Sequence, residues 1–306
     1  MKVSLVLTVQ DAAETMERFL DSVRAQTLQP DEIVVVDRGS TDGTLDILRA
    51  AGDVVLLEAP GASIARGRNL AIEVATHDLI AVSEADCVLS PRWLEQLAMA
   101  LEAGADVAMG YYRPIAHTLF ETAAGAIAAP EPHEIDEVRF MPSSRSIAFR
   151  RDMFERTGGY PEWLESGEDL YLDHRLRDLY ADMRFVPEAV AHWRIRPTLG
   201  ETFRQYFRYA EGDGRAGMYP ERHLLRFTAY GLLAYAAARR RWPLLAALAL
   251  GGSFYAGRRV RRLTRMLPGR PAAQAAAAAL IPPMMAMIDA AKMAGYISGL
   301  LEKARS

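Results

Sequence analysis

What most limits how this chain can fold is the alternation, over its first 110 residues, of β-branched apolar runs with stretches of helical period. Residues 3–9 (VSLVLTV) and 32–37 (EIVVVD) are nearly continuous in hydrophobicity, as a strand must be when both its faces are covered. Similar runs stand at 54–57, 78–82 and 105–110. Between them Met16, Phe19, Leu20 and Val23 share one helical face, and 45–51, 64–75 and 91–101 read as helices. Strands and helices in this rhythm predict a right-handed, mostly parallel α/β sheet flanked by helices. Residues 111–145, with Pro114, Pro130, Pro132 and Pro142, read as a loop-rich excursion. A strand at 146–149, a helix near 152–156, the turn Gly158-Gly159-Tyr160 and a helix from Glu168 to about Tyr180 follow. There is no internal repeat.

Composition enters through its distribution. The net charge of −3 hides residues 1–223, with 23 basic and 37 acidic side chains, and residues 224–306, with 13 and 2. The acidic front makes nucleic acid a poor partner, whereas the basic back suits an anionic membrane surface. Residues 224–270 hold ten arginines and no acid among apolar stretches, and 272–301 is apolar but interrupted by Pro282-Pro283. The chain therefore divides into 1–220, with halves at 1–110 and 111–220, and a helical, membrane-associated region at 221–306. The expected place is the cytoplasmic face of the cell membrane, with no signal peptide at the start. Cys87 is the single cysteine, which excludes a disulfide framework and any cysteine-based zinc site.

An open parallel sheet binds ligands where its strands end at their carboxyl side. The first strand ends in Thr8-Val9-Gln10-Asp11, the second in Asp37 and the turn through Ser40, and the fourth in Ser83-Glu84-Ala85-Asp86. Acids at three neighbouring strand ends repel one another unless a cation or ligand neutralises them. Carboxylates two residues apart, as Glu84 and Asp86 are, can both reach a hard divalent ion. Arg66 and Arg68 open a helix where a diphosphate could be met. Glu168-Asp169 sits at another helix start, where an acid either caps the helix or faces a cleft as a base. His192 is either a packed side chain or a metal ligand. Neither G-x-G-x-x-G after strand one nor G-x-x-x-x-G-K-[ST] occurs, which disfavours dinucleotide and P-loop enzymes.

Taken in order, these segments resemble the family 2 glycosyltransferases, inverting enzymes of the GT-A (Rossmann-like) fold. The likeness spans about residues 2–210: V-D-R-G-S-T-D-G-T from Val36, A-R-G-R-N from Ala65, E-A-D-C from Glu84, P-R-W-L from Pro91, G-G-Y from Gly158, G-E-D from Gly167 with Arg175, His192, and Q-x-x-R-Y from Gln205. The resemblance implies that Glu84 and Asp86 stand for the D-x-D motif holding Mg2+ or Mn2+ on a nucleotide-sugar diphosphate, joined by His192. Asp37 borders the nucleoside, Asp169 is the catalytic base after Glu168, and Gln205 and Arg208 hold the donor or acceptor chain. The basic tail is similar to that of bacterial members that build exopolysaccharide on lipid carriers. Arg38 and Val9-Gln10 depart from the family pattern beside the nucleobase.

The implied reaction is one in-line displacement at the anomeric carbon, passing sugar to a lipid-linked or glycan acceptor. It needs a base for the acceptor hydroxyl and positive charge opposite for the departing diphosphate. A non-catalytic sugar-nucleotide or glycan-binding subunit is the alternative. A nucleotidylyltransferase lacks its glycine-rich first loop here.

Overall fold

The computed structural model describes residues 2–305. The apolar runs form β1 (Val3–Val9), β2 (Glu32–Asp37), β3 (Val55–Glu58) and β4 (Leu79–Val82), and α1 (Ala13–Arg24), α2 (Thr44–Ala51) and α3 (Ile64–Val74) connect them. These strands pair in parallel in the order β3-β2-β1-β4, with Val9 opposite Asp37. The strand ends therefore lie on one rim. Val6, Val34, Val36, Ile80 and Val82 are fully buried.

Beyond β4 the pairing changes from parallel to antiparallel. It runs on through β7 (Ile147–Arg150), β6 (Val107–Ile115), β8 (Met183–Arg194) and β5 (Cys87–Leu89), with antiparallel pairs β4/β7, β6/β7 and β5/β8. The mostly parallel expectation describes β1 to β4; the pairs β4/β7, β6/β7 and β5/β8 are antiparallel. β5 is too short for a periodic signal, and Pro187 interrupts β8, so neither was expected. Register brings Val88 opposite His192 and Cys87 opposite Trp193. α4 (Trp93–Glu102) buries Trp93, whose Nε1 donates to Ser146 Oγ at 2.8 Å. α6 (Arg151–Thr157) and α7 (Glu168–Asp178) complete this part.

Two compact units result. The sheet unit takes the residues up to Pro114 and Pro132–Arg194; the helical unit takes Ile115–Glu131 and the residues from Ile195 on. The change of composition near residue 220 is thus not where the packing divides. The helical unit contains α5 (Leu119–Ala128), α8 (Leu199–Ala216), α9 (Pro220–Ala238), α10 (Trp242–Met266) and α11 (Pro271–Lys303). α5 lies inside the stretch read as loop. Its signal was the reciprocal cap Thr118-x-x-Glu121, in which Glu121 N–H donates to Thr118 Oγ1 at 3.1 Å and Thr118 N–H to Glu121 Oε2 at 3.0 Å. α11 continues through Pro282 and Pro283 rather than breaking there. Both prolines are exposed, so their rings meet solvent, while the opposite stripe is held by packing.

Candidate active site

The rim is built by the loops after β1 and β2, which fasten each other. Asp11 N–H donates to Ser40 Oγ at 2.9 Å, Ala12 N–H to Thr44 Oγ1 at 2.8 Å and Ala13 N–H to Asp42 Oδ2 at 2.9 Å. In return Asp11 Oδ1 accepts from Thr41 N–H at 2.8 Å. The G-S-T-D-G-T turn therefore supplies the cap that the N-terminus of α1 lacks in its own sequence. Asp37, 1% exposed, accepts from the Gly39 and Ser40 N–H groups, both at 2.9 Å, and from Ser40 Oγ. Its carboxylate holds the loop from within. Thr8 Oγ1 donates to Val36 O at 3.1 Å, tying β1 to β2.

Gly67 lets α3 lie directly on this rim, because a Cβ there would collide with Thr8 Oγ1. Residues two apart on a helix face in nearly opposite directions, and this separates the two arginines. Arg66 points outward to Glu73 at 3.3 Å and Glu162 at 3.2 Å, with 42% of its side chain exposed. Arg68, 2% exposed, donates through Nη1 to Glu168 Oε1 at 2.5 Å and through Nη2 to Glu84 Oε1 at 2.8 Å. Its guanidinium lies 5.3 Å from the centre of the Tyr160 ring. Asn69 pins the Gly-Gly-Tyr turn, donating to Tyr160 O at 3.0 Å and accepting from Tyr160 N–H at 3.0 Å. At Gly159, φ is +78° and the space for a Cβ is taken by Asn69 Oδ1 and Phe154, so glycine is required.

Glu84 is held from its other side as well. Arg145 Nη2 stands 3.0 Å from Oε2 while its Nη1 donates to Ser143 Oγ at 3.2 Å. Both oxygens of Glu84 are therefore engaged by arginine. The neutralising cations that the strand-end acids demanded are, for Glu84, guanidinium groups. Among the described residues no three His, Cys, Asp or Glu side chains form a ready cation cage. Glu84, Asp86 and His192 are consequently not brought together as one ligand set.

The start of α7 brings Glu168 and Asp169 to the same place. Burial pushes the Glu168 carboxyl up to about 7, and Arg68 opposes that rise without cancelling it. Asp169 is half-buried. It accepts from the N–H of Leu170 at 2.9 Å and has a long contact with Ser143 Oγ at 3.5 Å. Among the described residues no arginine pairs with it. One turn on, Asp173 is buried, and both burial and the neighbouring Asp169 push its carboxyl well above the usual range. A carboxylate that is half-buried and outside the arginine pairs can accept a proton from a hydroxyl.

His192 is half-buried on β8, and burial first, then Arg113, lowers its pKa. Asp86 stands two residues before Val88, the strand partner of His192. Gln205 and Arg208 belong to α8 in the helical unit, where Gln205 Nε2 donates to Tyr209 OH at 2.9 Å.

Sequence reasoning missed Arg145 and the loop-tying roles of Asp11, Asp42 and Thr44. Arg145 lies at the end of the proline-rich stretch, where nothing periodic marks it. Asp42 and Thr44 were visible as turn chemistry, but the helix they cap is thirty residues earlier in the chain. Arg38 donates to Ala62 O at 3.3 Å and keeps its buried Nε without a hydrogen-bond partner.

Comparison with known proteins gives concordant results. The model of the family described as Glycosyl transferase family 2 matches residues 4–158. Glycosyltransferase AglE of Haloferax volcanii is 27% identical over 246 residues, 75% of this chain and 79% of its own. The O-antigen chain rhamnosyltransferase RfbN of Salmonella typhimurium is 23% identical over 223 residues, 68% of this chain and 71% of its own. Among solved structures, mannosyltransferase PcManGT from Pyrobaculum calidifontis, in complex with GDP-Man and Mn2+, aligns at a TM-score of 0.58 with 22% identity, over 99% of this chain and 88% of its own. The last likeness shows a common GT-A-like fold.

Proposed function

Since the chain belongs to glycosyl transferase family 2 and is a glycosyltransferase, we propose that it moves a sugar, with inversion, from a nucleotide-diphosphate donor to a lipid-linked or polysaccharide acceptor at the cytoplasmic face of a membrane. Asp169 is the general base in this reading. The observation that carries it is the contrast between Asp169, half-buried and unpaired with arginine, and Glu168 beside it, buried against Arg68. Of the two, Asp169 has the freedom to take a proton from an acceptor hydroxyl.

The remaining residues act by position. Arg68 joins Glu84 to Glu168 and so ties the rim of β4 to the start of α7. Thr8, Asp37 and Ser40 shape the nucleoside side through the loop they hold, and Gln205 and Arg208 are proposed to hold the donor or acceptor chain. Glu84 supports the site through Arg68 and Arg145 instead of serving as a metal ligand. The Asp86 carboxylate and the His192 imidazole, whose pKa burial lowers, are donors that suit Mg2+ or Mn2+, with phosphate and water oxygens filling the other positions. Such a cation, when bound, offsets the negative charge that develops on the departing diphosphate.

PcManGT carries GDP-Man and Mn2+, which makes GDP-mannose the first donor to try in a panel of sugar nucleotides. Purified protein with Mn2+ is expected to release nucleoside diphosphate from one member of the panel. Asp169→Asn should slow that release by about 10²–10⁴-fold while leaving donor affinity nearly unchanged. Full activity in Asp169→Asn, or no donor bound by the folded protein, sinks the reading.

A further inference from the structure

By length and composition, α11 could cross a bilayer, but its packing opposes this. Its inward stripe, including Ile281, Met284, Ile288, Gly295 and Gly299, is buried. At Gly295 and Gly299 no space is left for a Cβ against Phe207 O and Glu211 O, so α11 touches the backbone of α8. α8 carries Glu201, Arg204, Arg208, Glu211, Asp213 and Arg215, and each charge at the centre of a bilayer costs about 2.5–3.5 kcal/mol on the mildest scale. Asp289 of α11 itself pairs with Arg226 at 2.7 Å and accepts from Tyr230 OH at 3.1 Å. The C-terminal half of α11 is bound to a charged neighbour and must share its depth.

α9 and α10 show the reverse. His223 and Ala236 are the buried residues of α9, and Leu263 is that of α10. Trp242, Leu250 and Phe254 are 71%, 74% and 73% exposed. Leu250 and Phe254 lie on one helical stripe that continues into Arg258, Arg261 and Arg265, and Trp242 stands at the start of the helix. The uncharged runs 227–238 and 242–257 measure about 18 and 24 Å at 1.5 Å per residue, against about 30 Å of hydrocarbon. A hairpin that dived would carry Arg239, Arg240 and Arg241, which form its turn, into lipid. Lying flat, the same arginines reach headgroups while the apolar stripe enters the acyl boundary. A second copy fits poorly, because two such surfaces would oppose like charges.

We propose that α9 and α10 form an in-plane docking surface for an anionic bilayer and that α11 does not span it. The proposal rests on the membrane-surface partner suggested above and names the element that meets it. The test uses the full chain with one fluorescent label, at Leu250→Cys on α10 or at Ala286→Cys on the exposed side of α11; the buried Cys87 is shielded from labelling. With phosphatidylglycerol vesicles the label at 250 should be quenched by nitroxides placed near the headgroups, and the label at 286 should not respond. Pure phosphatidylcholine or high salt should weaken binding, and Leu250→Ser with Phe254→Ser should weaken it about tenfold or more without changing Tm. Quenching at 286 from the bilayer centre, no binding to anionic vesicles, or a lipid-free dimer that shields residue 250 each overturns the proposal. Vesicle binding unaltered in Asp169→Asn keeps this outcome separate from the catalytic reading.

Discussion

In the sheet unit Arg68 is buried between Glu84 and Glu168, whereas in the helical unit Arg258, Arg261 and Arg265 of α10 are exposed, as are Trp242, Leu250 and Phe254 on the same helix. The side chain is the same, and its surroundings differ in the supply of acid. Residues 1–223 hold 37 carboxylates and residues 224–306 hold 2. Where acids crowd a strand rim, arginine can be drawn inside as their counter-charge, because burying either partner alone is costly. Where acids are absent it is not drawn inside by an ion pair, and Arg259 and Arg262 bond backbone carbonyls instead.

The comparison breaks first if Arg68 proves dispensable. Arg68→Met should lower unfolding free energy by about 3–5 kcal/mol at pH 8, since two acids lose their shared partner. Urea melts measure this, and a loss below about 1 kcal/mol would make the buried pair incidental. In the helical unit stability resides in close backbone crossing instead of charge. Gly299→Val should destabilise by about 1–3 kcal/mol or more through overpacking against α8, read as a lower midpoint and faster proteolysis.

A pH series sharpens the contrast further. The folded protein keeps a proton on Glu168 up to about 7, whereas an unfolded glutamate loses it near 4.3. That stabilisation is complete below the unfolded value and is lost as pH rises through 7, so stability should fall by about 2–3 kcal/mol from pH 5 to 8. Glu168→Gln should reduce this slope, leaving the part contributed by Asp173, which burial also raises, and an unchanged slope would assign all of it elsewhere. The smallest effect belongs to Arg66, whose partners are exposed. Arg66→Ala should change stability by less than about 0.5 kcal/mol and leave donor affinity unaltered in a titration.

Much of the site could be read along the chain because it sits at strand ends, and strand ends follow from local hydrophobic runs. Thr8, Asp37 and Glu84 were found in that way. Which of Arg66 and Arg68 turns inward was not legible, although helix geometry made it certain that only one could. Arg145 escaped because its importance comes from meeting Glu84, 61 positions away. α5 lies between Pro114 and Pro130, and its one local signal is the reciprocal cap at Thr118 and Glu121.

By itself the amino-acid order determined the alternation of strand and helix, the rim on which the acids collect, and the separation of an acidic front from an arginine-rich back. These are local matters of period and composition. Folding in three dimensions decided that guanidinium groups would hold both oxygens of Glu84, that α5 and α8 would join the C-terminal helices, and that the long apolar α11 would press on a charged helix. Each of those outcomes depends on contacts between residues far apart in the chain, and no short window of sequence carries the geometry of such a meeting.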